Sequence, residues 1–110
     1  LENDFKYNRL ILVIGILEDK KYIEMLESII PICDKIVVTR SKNKRSCNPF
    51  NLKKKIEYID YKKQVIAIEN LEKAVLFAKR EAGIKDMICI CGSLFIIGEA
   101  RRFLKEIILF

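Results

Sequence analysis

Few residues of this 110-residue chain can do chemistry. It has no histidine, and no serine or cysteine stands in a nucleophile elbow, which argues against a hydrolase built on it. Of the four cysteines, Cys89 and Cys91 alternate with Ile88 and Ile90, while Cys33 and Cys47 stand alone. Metal-ligand spacing is absent, so no metal site is expected and the thiols read as small, reduced hydrophobes. Neither the triphosphate loop nor the dinucleotide fingerprint occurs, Gly92 with Gly98 being too sparse for the latter. What remains is a corner, a loop arginine and a charged turn. Gly92-Ser93, where a strand meets a helix, offers backbone N–H groups and a hydroxyl suited to a carboxylate or phosphate. Ser93 also reads as a plain N-cap for Phe95 or Ile96. Arg45 carries a guanidinium fork able to grip a carboxylate, or simply to be solvated. Asp19 is either a site residue or a helix cap, with Glu18, Lys20 and Lys21 its first turn.

The elements that position these residues follow from hydrophobic periodicity. Arg9 to Ile16 is almost wholly aliphatic, as a strand covered on both faces is. From Asp19 the period becomes helical through Tyr22, Ile23, Leu26, Ile29 and Ile30, with Pro31 just past the end. Lys35 to Thr39 is a second strand, and Arg40 to Cys47 has no apolar period and predicts a loop. Asn48-Pro49 begins a helix with Leu52, Ile56 and Ile59 on one face. Gln64 to Ile68 predicts a third strand. Asn70 caps a helix striped by Leu71, Ala74, Val75, Ala78 and Ala82 and closed by Gly83. Met87 to Cys91 is the fourth strand, and Leu94 to Ile108 has helical composition. Strict alternation predicts an α/β, Rossmann-like, three-layer domain with a mainly parallel sheet and helices on both faces. Three loops then reach the carboxyl rim where such sheets bind ligands: 15–21, 39–49 and the Gly92-Ser93 corner.

Composition bounds the class. With 51% hydrophobic and 33% charged residues the chain can bury a core, and residues 1–110 read as a single domain. Leu10 to Leu17, the longest early apolar run, is far short of the ~20 residues that cross a bilayer. It runs directly into Glu18-Asp19-Lys20-Lys21, unlike a signal peptide. No membrane partner is expected, and the location is read as cytoplasmic. The chain opens on a polar lead-in from Leu1, as a fragment of a longer enzyme would. The net charge of +6 invites a polyanion, but no aromatic surface motif accompanies the lysines. They read as a solvated face, and no nucleic acid partner is expected.

Three segments together resemble one family. They are Gly15-Ile16-Leu17-Glu18-Asp19-Lys20-Lys21; then Thr39-Arg40, Asn43-Lys44-Arg45-Ser46 and Asn48-Pro49; then Gly92-Ser93-Leu94-Phe95 with Gly98-Glu99-Ala100-Arg101-Arg102. The order and spacing are similar to the C-terminal domain of folylpolyglutamate synthase / dihydrofolate synthase, in the Mur ligase superfamily. There the segments read G-x-L-x-D-K-D, T-R-P-x-N-P-R-A-x-D-P and G-S-L-Y-L-x-G-E-x-R-R. Lys21, Lys44, Ser46, Asn48 and Phe95 depart from that pattern, and Lys44 in place of proline loosens the turn before Arg45.

The resemblance implies an ATP-dependent carboxylate-amine ligase that joins L-glutamate to a folate or dihydropteroate carboxylate through an acyl phosphate. ATP and Mg2+ would be bound mainly outside this chain, in an N-terminal ATPase domain of the same polypeptide. By the same resemblance Ser93, Arg45 and Gly92 would hold the glutamate, Asp19 and Lys20 would lie in a domain-interface loop, and the chain alone would be inactive. The competing readings are a Mur-type peptidoglycan amino-acid ligase domain and a nonenzymatic Rossmann-like binding module.

Overall fold

The structure, a computed structural model, describes residues 9–16, 22–40, 42, 44–92 and 108–109. Its elements are β1 (Leu10–Gly15), α1 (Ile23–Ile29) with a 3-10 turn (Ile30–Ile32), β2 (Lys35–Val38), α2 (Pro49–Ile59), β3 (Gln64–Ala67), α3 (Leu71–Glu81), β4 (Met87–Gly92) and β5 (Ile108–Leu109). The strands form one five-stranded sheet in the order β3-β2-β1-β4-β5. Every pairing in it is parallel. The expected α/β, Rossmann-like, parallel architecture is thus the observed one.

The central strand explains the layering. All six residues of β1 are buried, and alternate side chains point to opposite faces. Leu10, Leu12 and Ile14 pack with Leu26 and Ile30 from the α1 segment and Leu52 and Ile56 of α2. Ile11 and Val13 pack instead with Leu71, Ala74, Val75 and Ala78 of α3. A slip of one residue in β1 would exchange these two sets, each fully buried Leu or Ile being worth about 1.5–3 kcal/mol. Register is therefore fixed by burial on both sides.

Local chemistry sets the element ends. The Asn48 side chain accepts a hydrogen bond from the Phe50 N–H at 2.8 Å, and Asn70 does the same for Lys73 at 2.9 Å. Both caps fall where the sequence places them. Three ends differ from expectation. Pro31 lies inside the 3-10 turn, not beyond the helix, because a tighter last turn accommodates a residue that lacks an N–H. α3 leaves the helical path at Ala82, with φ −75° and ψ 129°. Gly83 is therefore no left-handed cap; its N–H is taken by the Asp86 carboxylate at 2.8 Å. Ile108 belongs to β5, paired with Cys89, and not to a helix; two strand residues at the end of a helix-like pattern carry no period of their own.

The amino-terminal rim is fastened by ions. Arg9 donates to the Asp86 carboxylate at 2.8 Å and to the Glu81 carbonyl at 2.8 Å. Lys35, buried at the start of β2, pairs with the Glu81 carboxylate and lies 5.6 Å from the Phe77 ring centre. The hydrogen bond from Arg9 and the Gly83 N–H hold Asp86 below the ordinary carboxylate range. The Lys35 ammonium does the same for Glu81. Cys33, Cys47 and Cys89 are buried and unbridged.

Candidate functional site

An open parallel sheet binds ligands at its carboxyl rim, where successive connections leave a strand in opposite directions. Here β2 and β4 flank β1 on opposite sides, so the crevice lies between β1 and β4. Gly15 and Gly92 face each other there in register. Two residues without side chains form the strand ends at this point, leaving main-chain groups open to close approach. Gly92, a predicted site residue, is thus at the switch point. Ser93, Asp19 and Lys20 lie outside the described residues.

The loop carrying Arg45 is pinned to the same place at both feet. The Thr39 N–H donates to the Ile14 carbonyl at 2.9 Å, and the Cys47 N–H donates to the Ile16 carbonyl at 2.7 Å. Its two feet therefore stand on carbonyls two residues apart, about 7 Å along an extended chain. Thr39, Ser46 and Cys47 are buried, while Arg45 is exposed. This is the form of an Ω-loop, with anchored ends and a presented tip. Arg45 stands two residues from the bond to Ile16, and Ile16 follows Gly15. The structure therefore places the Arg45 loop on the rim at which Gly92 ends β4.

A second group at the rim went unnoticed in the sequence. The Thr39 hydroxyl donates to the Glu69 carbonyl at 3.3 Å, and Arg40 pairs with the Glu69 carboxylate at 3.0 Å. The Ile68 N–H donates to the Val38 carbonyl at 2.9 Å. These bonds tie the ends of β2 and β3 beside a cleft of about 500 Å³ lined by Arg40, Lys42, Glu69, Asn70 and Lys73. Only the pairing of β2 with β3 brings Glu69 to Arg40, and sequence spacing of 29 residues gives no sign of it. A smaller cleft of about 190 Å³, between Tyr22, Cys47, Asn48, Asn51, Leu52 and Lys55, lies below the Arg45 loop.

The rim can receive anions. Arg40, Lys42 and Arg45 supply cations, and a guanidinium fork matches a carboxylate or a phosphate bidentately. Among the described residues no three Cys, Asp or Glu side chains gather as a metal would require. These residues do not form a magnesium site of their own, and the rim's charge is carried by Arg40, paired with Glu69, and by the exposed Lys42 and Arg45.

Fold and rim together define a Rossmann-like domain with basic side chains at its carboxyl edge. The chain belongs to the Mur ligase, glutamate ligase domain family, whose model matches residues 1–94. Its fold is similar to that of Mycobacterium tuberculosis folylpolyglutamate synthase complexed with ADP and AMPPCP, with a TM-score of 0.81 and 23% identity over 96% of this chain. A structure of the same enzyme complexed with ADP gives a TM-score of 0.77 and 22% identity over 93% of this chain. The chain spans 26% and 25% of the length of those two chains. No curated protein sequence matches it. Among the described residues no helix is long and apolar enough to cross a membrane.

Proposed function

We propose that this chain is the glutamate-presenting, C-terminal domain of a cytoplasmic folylpolyglutamate synthase or dihydrofolate synthase. The observation that carries the reading is membership of the glutamate ligase domain family over residues 1–94; the Arg45 loop pinned beside Gly15 and Gly92 supports it. ATP, held with Mg2+ mainly by an N-terminal ATPase domain of the same polypeptide, supplies the phosphoryl group that activates the folate or dihydropteroate carboxylate. The glutamate amine then displaces phosphate, forming the amide. In that scheme this chain binds and orients the amino acid. Arg45 pairs with one glutamate carboxylate, and the Gly92-Ser93 corner offers N–H groups and a hydroxyl to the other. Asp19 and Lys20 lie where the two domains meet. Alone, the chain turns over nothing, because the reacting groups are never assembled on it.

The test is steady-state kinetics of the full-length ligase with each substrate varied in turn. A charge-assisted hydrogen bond contributes roughly 1.5–3 kcal/mol, so Arg45→Ala should lower kcat/KM for glutamate about 10- to 100-fold while ATP and folate constants hold. Ser93→Ala should cost less. Unchanged glutamate kinetics in both variants, with a lower melting temperature for Ser93→Ala, would reduce Ser93 to a helix cap and remove Arg45 from the site.

A further inference from the structure

The lysines of the sequence carry no aromatic motif with them, but the fold assembles one. α2 buries Leu52 and Ile56 against the sheet and turns Phe50, Lys54 and Tyr58 outward at four-residue intervals, and Tyr61 follows in the turn after the helix. Phe50 is 54% exposed, Tyr58 92% and Tyr61 83%. Two of these rings share the outer face of α2 and the third stands in the turn that follows it. The Lys62 ammonium lies 5.9 Å from the centre of the Tyr61 ring.

Charge narrows the partner. Between Phe50 and Lys63 there are five lysines against two acids, Glu57 and Asp60. Lys55 bonds the Tyr22 hydroxyl, and Lys63 bonds the Pro31 and Cys33 carbonyls. Lys53 and Lys54 share α2 with Phe50 and Tyr58, and Lys62 follows Tyr61. The surface is therefore positive and aromatic. Flat faces that stack on rings, joined by a flexible chain of negative charge, are its complement. We propose that the outer face of α2 and the turn after it binds single-stranded nucleic acid, bases stacking on Phe50, Tyr58 and Tyr61 and phosphates pairing with Lys53, Lys54 and Lys62. Phe50 and Tyr58 are eight residues apart, about 12 Å along the helix, room for successive nucleotides. The inference is independent of the ligase reading.

Fluorescence anisotropy of the 110-residue chain with a labelled oligothymidine of roughly 12 nucleotides tests it. Tyr58→Ala and Tyr61→Ala should each weaken binding about 5- to 100-fold, and Tyr58→Phe and Tyr61→Phe should restore it. Lys54→Gln should lower the slope of log affinity against log salt by about 0.7. The chain has four tyrosines and no tryptophan, so stacking should also quench its intrinsic emission. All these side chains are exposed or on the helix flank, and melting curves should stay put. Three results would overturn the proposal: no binding at low salt, alanine variants that bind like the parent, or equal competition by an abasic backbone or by poly-L-glutamate. The last would mark the face as a dock for an acidic peptide.

Discussion

Replacing Asn48 tests whether the cap of α2 also steadies the loop that carries Arg45. Its side chain accepts the Phe50 N–H at 2.8 Å, and its carbonyl accepts from Asn51 and Leu52 at 3.1 and 3.0 Å. Asn48→Ala removes the first bond only, which should cost about 1 kcal/mol. Asn48→Gly should lose only a few tenths, since glycine is itself a fair N-cap. Asn48→Asp keeps the acceptor and adds a charge. α2 has no acid in its first turn, so the aspartate meets an unopposed helix dipole and should add about 0.3–1 kcal/mol. That gain is present above the aspartate pKa and fades as the carboxylate is protonated. Urea denaturation gives the ranking, Asp above Asn above Gly above Ala, with an unchanged m-value. Because Asn48 adjoins Cys47, whose N–H holds the Ile16 carbonyl, amide exchange at Cys47 should quicken in Asn48→Ala. An alanine variant as stable as the parent, or an aspartate variant less stable, would refute the capping argument. Unaltered exchange at Cys47 would uncouple cap from loop.

Two further outcomes follow from the amino-terminal rim. Asp86 and Glu81 have folded-state pKa values below their ordinary 3.8 and 4.5, so their contribution is complete above those values and is lost as pH falls through the lowered ones. Acid titration of stability should therefore be shallower below about pH 4.5 in Asp86→Asn/Glu81→Gln than in the parent. Gly83→Ala should leave the chain as stable or up to about 1 kcal/mol more so by thermal denaturation. Its backbone is not left-handed, and an added Cβ meets only Asp86, at 3.5 Å.

What the sequence discloses and what it hides divide along physical lines. Strands covered on both faces are written as unbroken aliphatic runs, so β1, β2 and β4 are legible to within one residue at each end. Asn48 and Asn70 announce their helices because a cap is a local bond. Strand order is not local. Nothing in the spacing of Gly15 and Gly92 says that they stand in register, and nothing in Glu69 says that it meets Arg40. β5 escaped because its two residues continue an apolar helical pattern. The aromatic stripe of α2 escaped because Tyr61 lies beyond the helix, in the turn that follows Asp60, where helical phase gives no guide.

The Arg45 loop shows how a site can tolerate a softer sequence. Lys44 stands where the family pattern has proline, which frees a backbone dihedral just before the arginine and raises the entropy lost when the guanidinium is aimed. The fold offsets this at the base of the loop. One foot bonds to the Ile14 carbonyl near the end of β1 and the other to the Ile16 carbonyl just past it, and the buried Thr39 hydroxyl adds a bond to Glu69. Loop closure is then settled by the sheet and not by the loop's own residues. The exposed Arg45 therefore owes its place at the rim to the anchor two residues after it, and the softer turn at Lys44 leaves that anchor untouched.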